Sequence, residues 1–209
     1  MDTPQDRRRL TREDWARAAL TAIGRGGLAA VAVEPLAAEL GATKGSFYWH
    51  FANRDALIAA ALELWEERYT AATIAMLSAE PDPVVRLRQL MTNVLTLGGG
   101  GRTEINLLAA IDHPLVGPVA RRVTERRLGY VVDLFVAAGF SRPEAERRGL
   151  LGYTLYVGNQ ELAARLPHTL PPPRSPEFQR YVAEIMELLL ARPRPADEPA
   201  DRPVDRPTD

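Results

Sequence analysis

Residues 33–51, VEPLAAELGATKGSFYWHF, constrain the fold more than any other stretch because they predict two short helices around a tight turn. Apolar residues recur at helical spacing in the first half: Val33, Leu36, Ala37 and Leu40. Pro35 falls in the first turn, where its missing N–H costs little. Gly41 suits a left-handed helix end, and the Thr43 side chain can cap a second helix. The stretch therefore predicts a helix-turn-helix.

The second of these helices has an unusual surface. Phe47 and Phe51 are four residues apart, so both can face inward. The other side chains are polar, cationic or aromatic, with no acidic residue among them: Thr43, Lys44, Ser46, Tyr48, Trp49 and His50. Gly45 costs roughly 1 kcal/mol relative to alanine in a helix, which indicates close approach to another backbone. In a helix-turn-helix this second helix enters the DNA major groove, and the free N–H groups at its leading end favour a phosphate.

Residues 43–51, together with residues 53–57, resemble the DNA-binding signature of TetR-family transcriptional regulators. The positions that match the family pattern are Gly45, Ser46, Tyr48, His50, Phe51 and Leu57. Phe47 replaces the usual leucine, Arg54 replaces the usual lysine, and Ala32 stands where many members have a hydroxyl that caps the first helix of the motif. The resemblance covers about the first quarter of the chain.

This resemblance implies two sets of DNA contacts. The side chains that would hold phosphates and set the register are Thr43, Tyr48, His50 and Arg54. Those that would face base edges are Lys44, Ser46 and Trp49. For Tyr48 and Trp49, packing within the domain is the alternative. In the family the last helices form the dimer, which implies that this chain is a homodimer through its own last two helices.

The remaining sequence predicts more helices, so the fold class is all-α. The predicted helices span residues 11–24, 54–78, 84–97, 104–111, 115–138, 142–166 and 177–191. Three capping signals accompany them: Thr11 with Asp14, Thr103, and Ser141 with Glu144. The four glycines at 98–101 predict a flexible loop. The arginines of helix 115–138 are expected on its outside: Arg121, Arg122, Arg126 and Arg127.

These elements predict three parts. Residues 1–52 form a three-helix DNA-binding domain with a helix-turn-helix, preceded by an arm (1–9) whose Arg7, Arg8 and Arg9 are either solvated or in contact with the DNA backbone. Residues 53–192 form a helical ligand-binding and dimerisation domain. The proline- and charge-rich residues 193–209 are predicted to be disordered. Helix 142–166 is apolar almost all round, so we expect it to be buried on more than one face.

Composition excludes several classes of protein. The chain has no cysteine, and its three histidines lie far apart in sequence, so no metal site and no cofactor are predicted. No phosphate-binding glycine loop or serine elbow is present, and the adjacent Asp112 and His113 do not face each other on a helix, so we do not expect an enzyme. No secretory signal is apparent, and the longest uncharged stretch, 89–101, is shorter than the about 20 residues that span a bilayer. A cytoplasmic bacterial protein is expected.

Two hypotheses about function follow. The first is a ligand-responsive homodimeric repressor, released from a palindromic DNA operator by a small apolar or aromatic effector. The second is a ligand-blind architectural DNA-binding protein with the same helix-turn-helix. The candidate effector-binding residues are aromatic, soft or amide-bearing side chains after residue 53: Trp65, Tyr69, Met91, Asn93, His113, Tyr130, Tyr153, Tyr156 and Asn159.

Overall fold

The computed structural model describes residues 9–96 and 98–192, which form helices and no strand, so the all-α prediction is confirmed. The helices are α1 (Arg12–Gly26), α2 (Val33–Glu39), α3 (Lys44–Tyr48), α4 (Arg54–Glu66), α5 (Ala72–Leu77), α6 (Pro83–Thr96), α7 (Gly98–Ala109), α8 (Val116–Ala137), α9 (Arg142–Arg165) and α10 (Pro176–Leu190). Arg7 and Arg8 of the predicted arm and the predicted disordered tail, 193–209, lie outside the described residues.

The first three helices form around aromatic side chains. Thr11 caps α1 and exchanges hydrogen bonds with Asp14, so this predicted capping pair is confirmed. The Phe47 ring of α3 lies edge-on to Trp15 of α1, with ring centroids 5.5 Å apart, and stacks on Phe51 at 5.6 Å. Gly41, between α2 and α3, has a φ of 62°, which glycine adopts without a steric cost. These contacts fix the orientation of α3.

The core of this three-helix unit continues into the rest of the chain. Leu57 and Ile58 of α4, Leu107 of α7, and Val116 and Val123 of α8 are buried in the same cluster as the helix-turn-helix. A unit of this size buries only a small core of its own. The helix-turn-helix end is packed directly on the helices that follow it, which enlarge that core.

The predicted single helix over 54–78 is wrong in its middle. A π-helical turn, Glu67–Ala71, separates α4 from α5. Its irregular backbone is supported from outside, because the Arg127 guanidinium of α8 donates to the Thr70 hydroxyl (2.9 Å) and to the Tyr69 carbonyl oxygen (3.4 Å). Such turns recur at functional sites.

The predicted glycine loop at 98–101 is also wrong, since α7 begins at Gly98. Close packing explains the last of these glycines: a Cβ on Gly101 would overlap the side-chain amide of Gln160 on α9. Thr103 does not cap the helix as predicted. It lies buried inside α7, where a Cβ on Gly24 of α1 would come within 2.8 Å of its hydroxyl.

A second core joins α5, α6, the C-terminal half of α8, α9 and α10. The predicted capping box at the start of α9 does not form, because the Ser141 side chain makes no capping hydrogen bond to the backbone. In the single chain, Leu150 and Leu151 of α9 are 59% and 61% exposed, so the expected burial of α9 on several faces is absent within one protomer. Among the described residues, no helix is both long and apolar enough to cross a membrane.

Candidate DNA interface and effector cavity

The recognition helix α3 is capped and presents two aromatic rings to solvent. The Thr43 hydroxyl accepts a hydrogen bond from the Ser46 backbone N–H at 3.1 Å, as its N-cap position predicts. Trp49 is 85% exposed, which excludes the packing alternative for this residue. Tyr48 is 56% exposed, although its ring still touches Phe47, with centroids 5.1 Å apart. Exposed aromatic rings on so short a helix are available to a partner.

Lys44 makes an ion pair that the sequence analysis missed. Its ammonium lies 2.8 Å from the Glu34 carboxylate of α2, and both side chains are exposed. The hydrogen bond to Glu34 raises the pKa of Lys44, and the same bond lowers the pKa of Glu34, so both groups stay charged. Ten residues separate the pair, so only the crossing of α2 and α3 brings them together. Beside them, Tyr48 and Ala32 line a surface depression of about 240 Å³.

Gly45 has no packing reason within its own chain. A Cβ at this position would meet only the Thr43 hydroxyl, at an ordinary contact distance of 3.7 Å. Ala32 occupies the N-cap of α2 and supplies no side-chain hydrogen bond, so this helix end lacks the cap that a hydroxyl would give. His50 is half-buried beside the exposed face of α3. The predicted DNA contacts of these residues stay predictions.

Arg54 has a structural contact that the sequence did not indicate. Its guanidinium donates to the carbonyl oxygen of Val31 at 2.6 Å and to that of Leu28, around the short 3-10 turn Leu28–Ala30. The start of α4 is thereby fastened to the segment that leads into α2. The resemblance implies a phosphate contact by Arg54. Such a contact would use the same guanidinium that already donates to these two carbonyl oxygens.

A cavity of about 70 Å³ lies between the π turn, α5, α6, α8 and α9. It brings together five of the predicted effector-binding residues: Tyr69, Met91, Tyr130, Tyr153 and Tyr156. Sequence reasoning missed the others that line it: Thr70, Thr73, Ile74, Leu90, Val94, Arg127, Val131 and Gly152. The walls are mainly apolar and aromatic, as in many small-molecule sites.

Four predicted effector-binding residues lie away from this cavity. Trp65 is buried in the first core, and the Arg127 guanidinium lies 5.2 Å from its ring centroid. Asn93 lines a separate groove between α6 and α10. The His113 ring accepts a hydrogen bond from the Leu115 N–H at 3.3 Å, near the start of α8. Asn159 donates to the Tyr181 hydroxyl at 2.9 Å and lines another groove.

Arg127, expected on the outside of α8, is buried at the cavity wall. Its guanidinium lies 2.7 Å from the Glu104 carboxylate of α7, and both side chains are largely hidden from solvent. Burial is the largest single influence and lowers the pKa of Arg127, but attraction to Glu104, the hydrogen bond to it and the nearby Tyr156 and Tyr153 together raise the pKa. Burial also raises the pKa of Tyr156, which therefore stays a neutral phenol. A signal existed in the sequence, because Arg127 is four residues from both Val123 and Val131 on the inward face of α8.

No metal site accompanies the cavity or the DNA face. Within residues 9–96 and 98–192, no three or more histidine or carboxylate side chains are grouped to hold a metal ion.

Residues 17–61 match the family model of the bacterial regulatory proteins of the tetR family. No curated protein matches the sequence. Among solved structures, a transcriptional regulator from Rhodococcus sp. Rha1 is 21% identical and has a TM-score of 0.69, over 86% of this chain and 94% of its own. The regulator FadR from Bacillus subtilis, solved in complex with stearoyl-CoA, is 10% identical with a TM-score of 0.65, over 87% of this chain and 98% of its own.

A regulator from Saccharomonospora viridis, solved in complex with choline, is 17% identical with a TM-score of 0.66, over 85% of this chain and 92% of its own. These identities are too low to transfer a ligand, but the shared architecture covers both the DNA-binding end and the helical body. Residues 17–61 thus belong to the tetR family of bacterial regulatory proteins, and the described chain has the fold of a TetR-family transcriptional regulator.

Proposed function

We propose that this protein is a ligand-responsive, homodimeric DNA-binding repressor that a small apolar or aromatic effector releases from a palindromic operator. The observation that carries the proposal is the exposed face of α3, where Lys44, Tyr48 and Trp49 project from a capped recognition helix. Polar and aromatic side chains on a second helix of this kind are suited to phosphates and base edges. Since its partner is genomic DNA, we place its action in the cytoplasm.

Gly45 supports this proposal independently. A glycine early in a helix lowers helix stability, and nothing in the protein occupies the space that a side chain would fill. Close approach of a DNA backbone gives the residue a purpose. In this arrangement Thr43, Tyr48 and His50 contact phosphates, while Lys44, Ser46 and Trp49 face the bases.

Exposed leucines support a homodimer through α9 and α10. Large apolar side chains on these two helices are open to solvent in the single chain: Leu150, Leu151, Leu162 and Leu188. Contiguous apolar surface on a soluble protein marks an interaction site, and a two-fold pairing of two helices from each protomer would cover it as a four-helix contact. Such a dimer places two recognition helices about 34 Å apart, which matches successive major grooves and a palindromic site.

The cavity supports regulation by a small molecule. At about 70 Å³ it is smaller than the roughly 300–1,000 Å³ of sites for drug-sized ligands, so its effector is small or the walls move apart. The π turn that lines the cavity continues directly into α4, whose first residue, Arg54, holds the segment before α2. If ligand and DNA are coupled by the usual 1–3 kcal/mol, each weakens the other by about 5- to 150-fold.

A ligand-blind architectural role is the second candidate. It shares the helix-turn-helix, but it gives no use to a cavity whose walls bury a charged pair and several tyrosines. We propose no catalytic role, because Arg127, Glu104 and Thr70 pair with one another and no activated nucleophile adjoins them among the described residues.

The proposal is tested by incubating the full-length protein with random genomic fragments, sequencing the bound pool and titrating the recovered site against salt. An enriched palindrome, bound with an affinity that falls steeply as salt rises, is the expected result. Weak, salt-sensitive binding without any enriched site would favour the architectural role instead. The recovered site then serves as the probe for effectors that release the protein.

A further inference from the structure

A buried ion pair lies at the wall between the cavity of the proposed effector site and a small adjoining space. Arg127 lines the cavity itself. Its partner Glu104 lines a small adjoining space of about 20 Å³, which shares Tyr69, Thr73 and Tyr156 with the cavity. The two charged groups are 2.7 Å apart. This wall therefore presents one positive and one negative charge that already satisfy each other.

No other side chain in the lining of the two spaces carries a charge, although Arg86, outside the lining, interacts with the Tyr130 phenol. Apart from Arg127 and Glu104, the lining of both spaces consists of aliphatic, phenolic, hydroxyl and amide side chains and two glycines. The phenol of Tyr156 is buried and stays protonated. An ion that enters such an environment loses its hydration and gains nothing in return unless it finds an opposite charge.

Neither member of the ion pair is free to provide that charge. A ligand carboxylate could take the Arg127 guanidinium only by displacing Glu104 and leaving that carboxylate buried without its counter-ion. A ligand ammonium could take Glu104 only by displacing Arg127, which is also fixed by Thr70 and the Tyr69 carbonyl oxygen. Breaking a buried ion pair by removing one partner is strongly unfavourable.

We propose that the Arg127–Glu104 pair sets the charge selectivity of this cavity, so that it accepts small uncharged aromatic molecules and rejects organic anions and cations. This inference rests on the proposed effector site and adds the chemical class of the effector. Met91, a flexible side chain, and the tyrosine rings provide an adaptable apolar surface for a ring.

The test uses three probes of one shape and different charge: benzyl alcohol, benzoate and benzylammonium. Binding of each to the full-length protein is measured at neutral pH by calorimetry and ligand-observed NMR. Benzyl alcohol is expected to bind more tightly than either ion, by about tenfold or more. The inference is overturned if either ion binds as tightly as benzyl alcohol or more tightly, or if benzyl alcohol does not bind.

Two charge variants then identify the residues responsible. Glu104→Gln leaves Arg127 unmatched, so benzoate binding should rise by about tenfold relative to benzyl alcohol. Arg127→Gln leaves Glu104 unmatched, so benzylammonium binding should rise by a similar factor relative to benzyl alcohol. Glu66→Gln is the matched control, because Glu66 pairs with Arg122 between α4 and α8 but does not line the cavity. Unchanged preferences in both cavity variants contradict the assignment.

The outcomes separate this inference from the proposed function. If circular dichroism shows that a cavity variant does not fold, the inference is judged from the unmodified protein alone, by the ratio of its affinity for benzyl alcohol to its affinities for the two ions. A protein that takes the alcohol but enriches no operator contradicts the proposed function and leaves the charge selectivity standing. A protein that enriches an operator but binds the ions equally well overturns only the selectivity.

Discussion

At the scale of single residues, α3 separates two roles over very few positions. Phe47 is fully buried between Trp15 and Phe51, whereas Trp49, two residues further on, is almost fully exposed. Because a helix turns by about 100° per residue, neighbouring side chains serve the core and the surface independently. The exposed residues that are predicted to face DNA can thus be changed without disturbing the packing that orients them.

This separation predicts the effect of replacing Lys44 or Tyr48 by alanine. Each change should weaken binding to the operator by about 1–3 kcal/mol, roughly 5- to 150-fold, since a DNA contact is lost. Stability should change by no more than about 0.5 kcal/mol, because both side chains are exposed. Fluorescence anisotropy and thermal unfolding measure the two quantities.

The matched control is Arg142→Ala. Arg142 forms a similarly exposed ion pair with Asp133 at 3.1 Å, on helices of the second core. It should leave operator affinity unchanged. Unaltered affinity in both Lys44→Ala and Tyr48→Ala would show that α3 is not the recognition helix.

At the scale of elements, the packing of helices depends on glycines where two backbones approach. Gly117 lies in the first turn of α8, and a Cβ there would overlap the backbone carbonyl oxygen of Ile111. Gly129, on the same helix, has nothing within 4 Å of its missing Cβ. Replacement of glycine by alanine is therefore expected to have opposite effects on stability at these two positions of α8.

We expect Gly117→Ala to lower the free energy of unfolding by about 1–3 kcal/mol, because the backbone of the preceding turn must move. Gly129→Ala should raise it by up to about 1 kcal/mol, since alanine has the higher helix propensity. Urea unfolding followed by circular dichroism measures both. Equal effects of the two substitutions would be inconsistent with the close approach at Gly117.

Local signals predicted the helices well and their irregularities poorly. The periodicity of residues 177–191 and the turn at Gly41 depend on neighbours in sequence, so they are visible without a structure. The glycines at 98–101 suggested a loop because of their low helix propensity, whereas the close approach of Gln160 to Gly101 involves a residue some sixty positions away. The π turn likewise depends on Arg127 from another helix.

The same dependence on residues distant in sequence explains why the cavity was only partly predicted. The tyrosines were identifiable as candidates by type, but their meeting place is set by four helices and a π turn. Glu104 and Arg127 are 23 residues apart in sequence, so local spacing did not reveal their contact. Asn93 was predicted to bind the effector, and Arg127 to be exposed, from residue type and not from the helix face that each occupies. By contrast, the residues predicted to contact DNA are contiguous or nearly so in sequence, so the prediction could rest on a local motif.

At the scale of the whole molecule, two apolar cores share α8, whose first half packs on the DNA-binding end and whose second half packs on α9 and α10. The exposed leucines lie on α9 and α10, which belong to this second core and not to the first. Association through them would therefore involve helices outside the core that holds the helix-turn-helix.

Charged substitutions on this surface should dissociate the dimer. Leu151→Glu and Leu188→Glu place a carboxylate on exposed positions of α9 and α10, so the monomer keeps its fold while pairing is opposed. Sedimentation velocity should show a shift to monomer, and operator affinity should fall by at least about tenfold as one half-site contact is lost. Met76→Glu, an equally exposed apolar position on α5, is the control, and dissociation by it alone would place the interface elsewhere.

The π turn Glu67–Ala71 determines how far α5 is rotated around the helix axis relative to α4. Since a π turn needs one more residue than an α turn to close, everything after it is displaced by one position around the helix axis. This offset lets α4 bury Leu57 and Trp65 in the first core while α5 buries Leu77 in the second. Loss of the π turn would therefore rotate α5 relative to α4 and move Tyr69 and Thr70 out of the cavity wall.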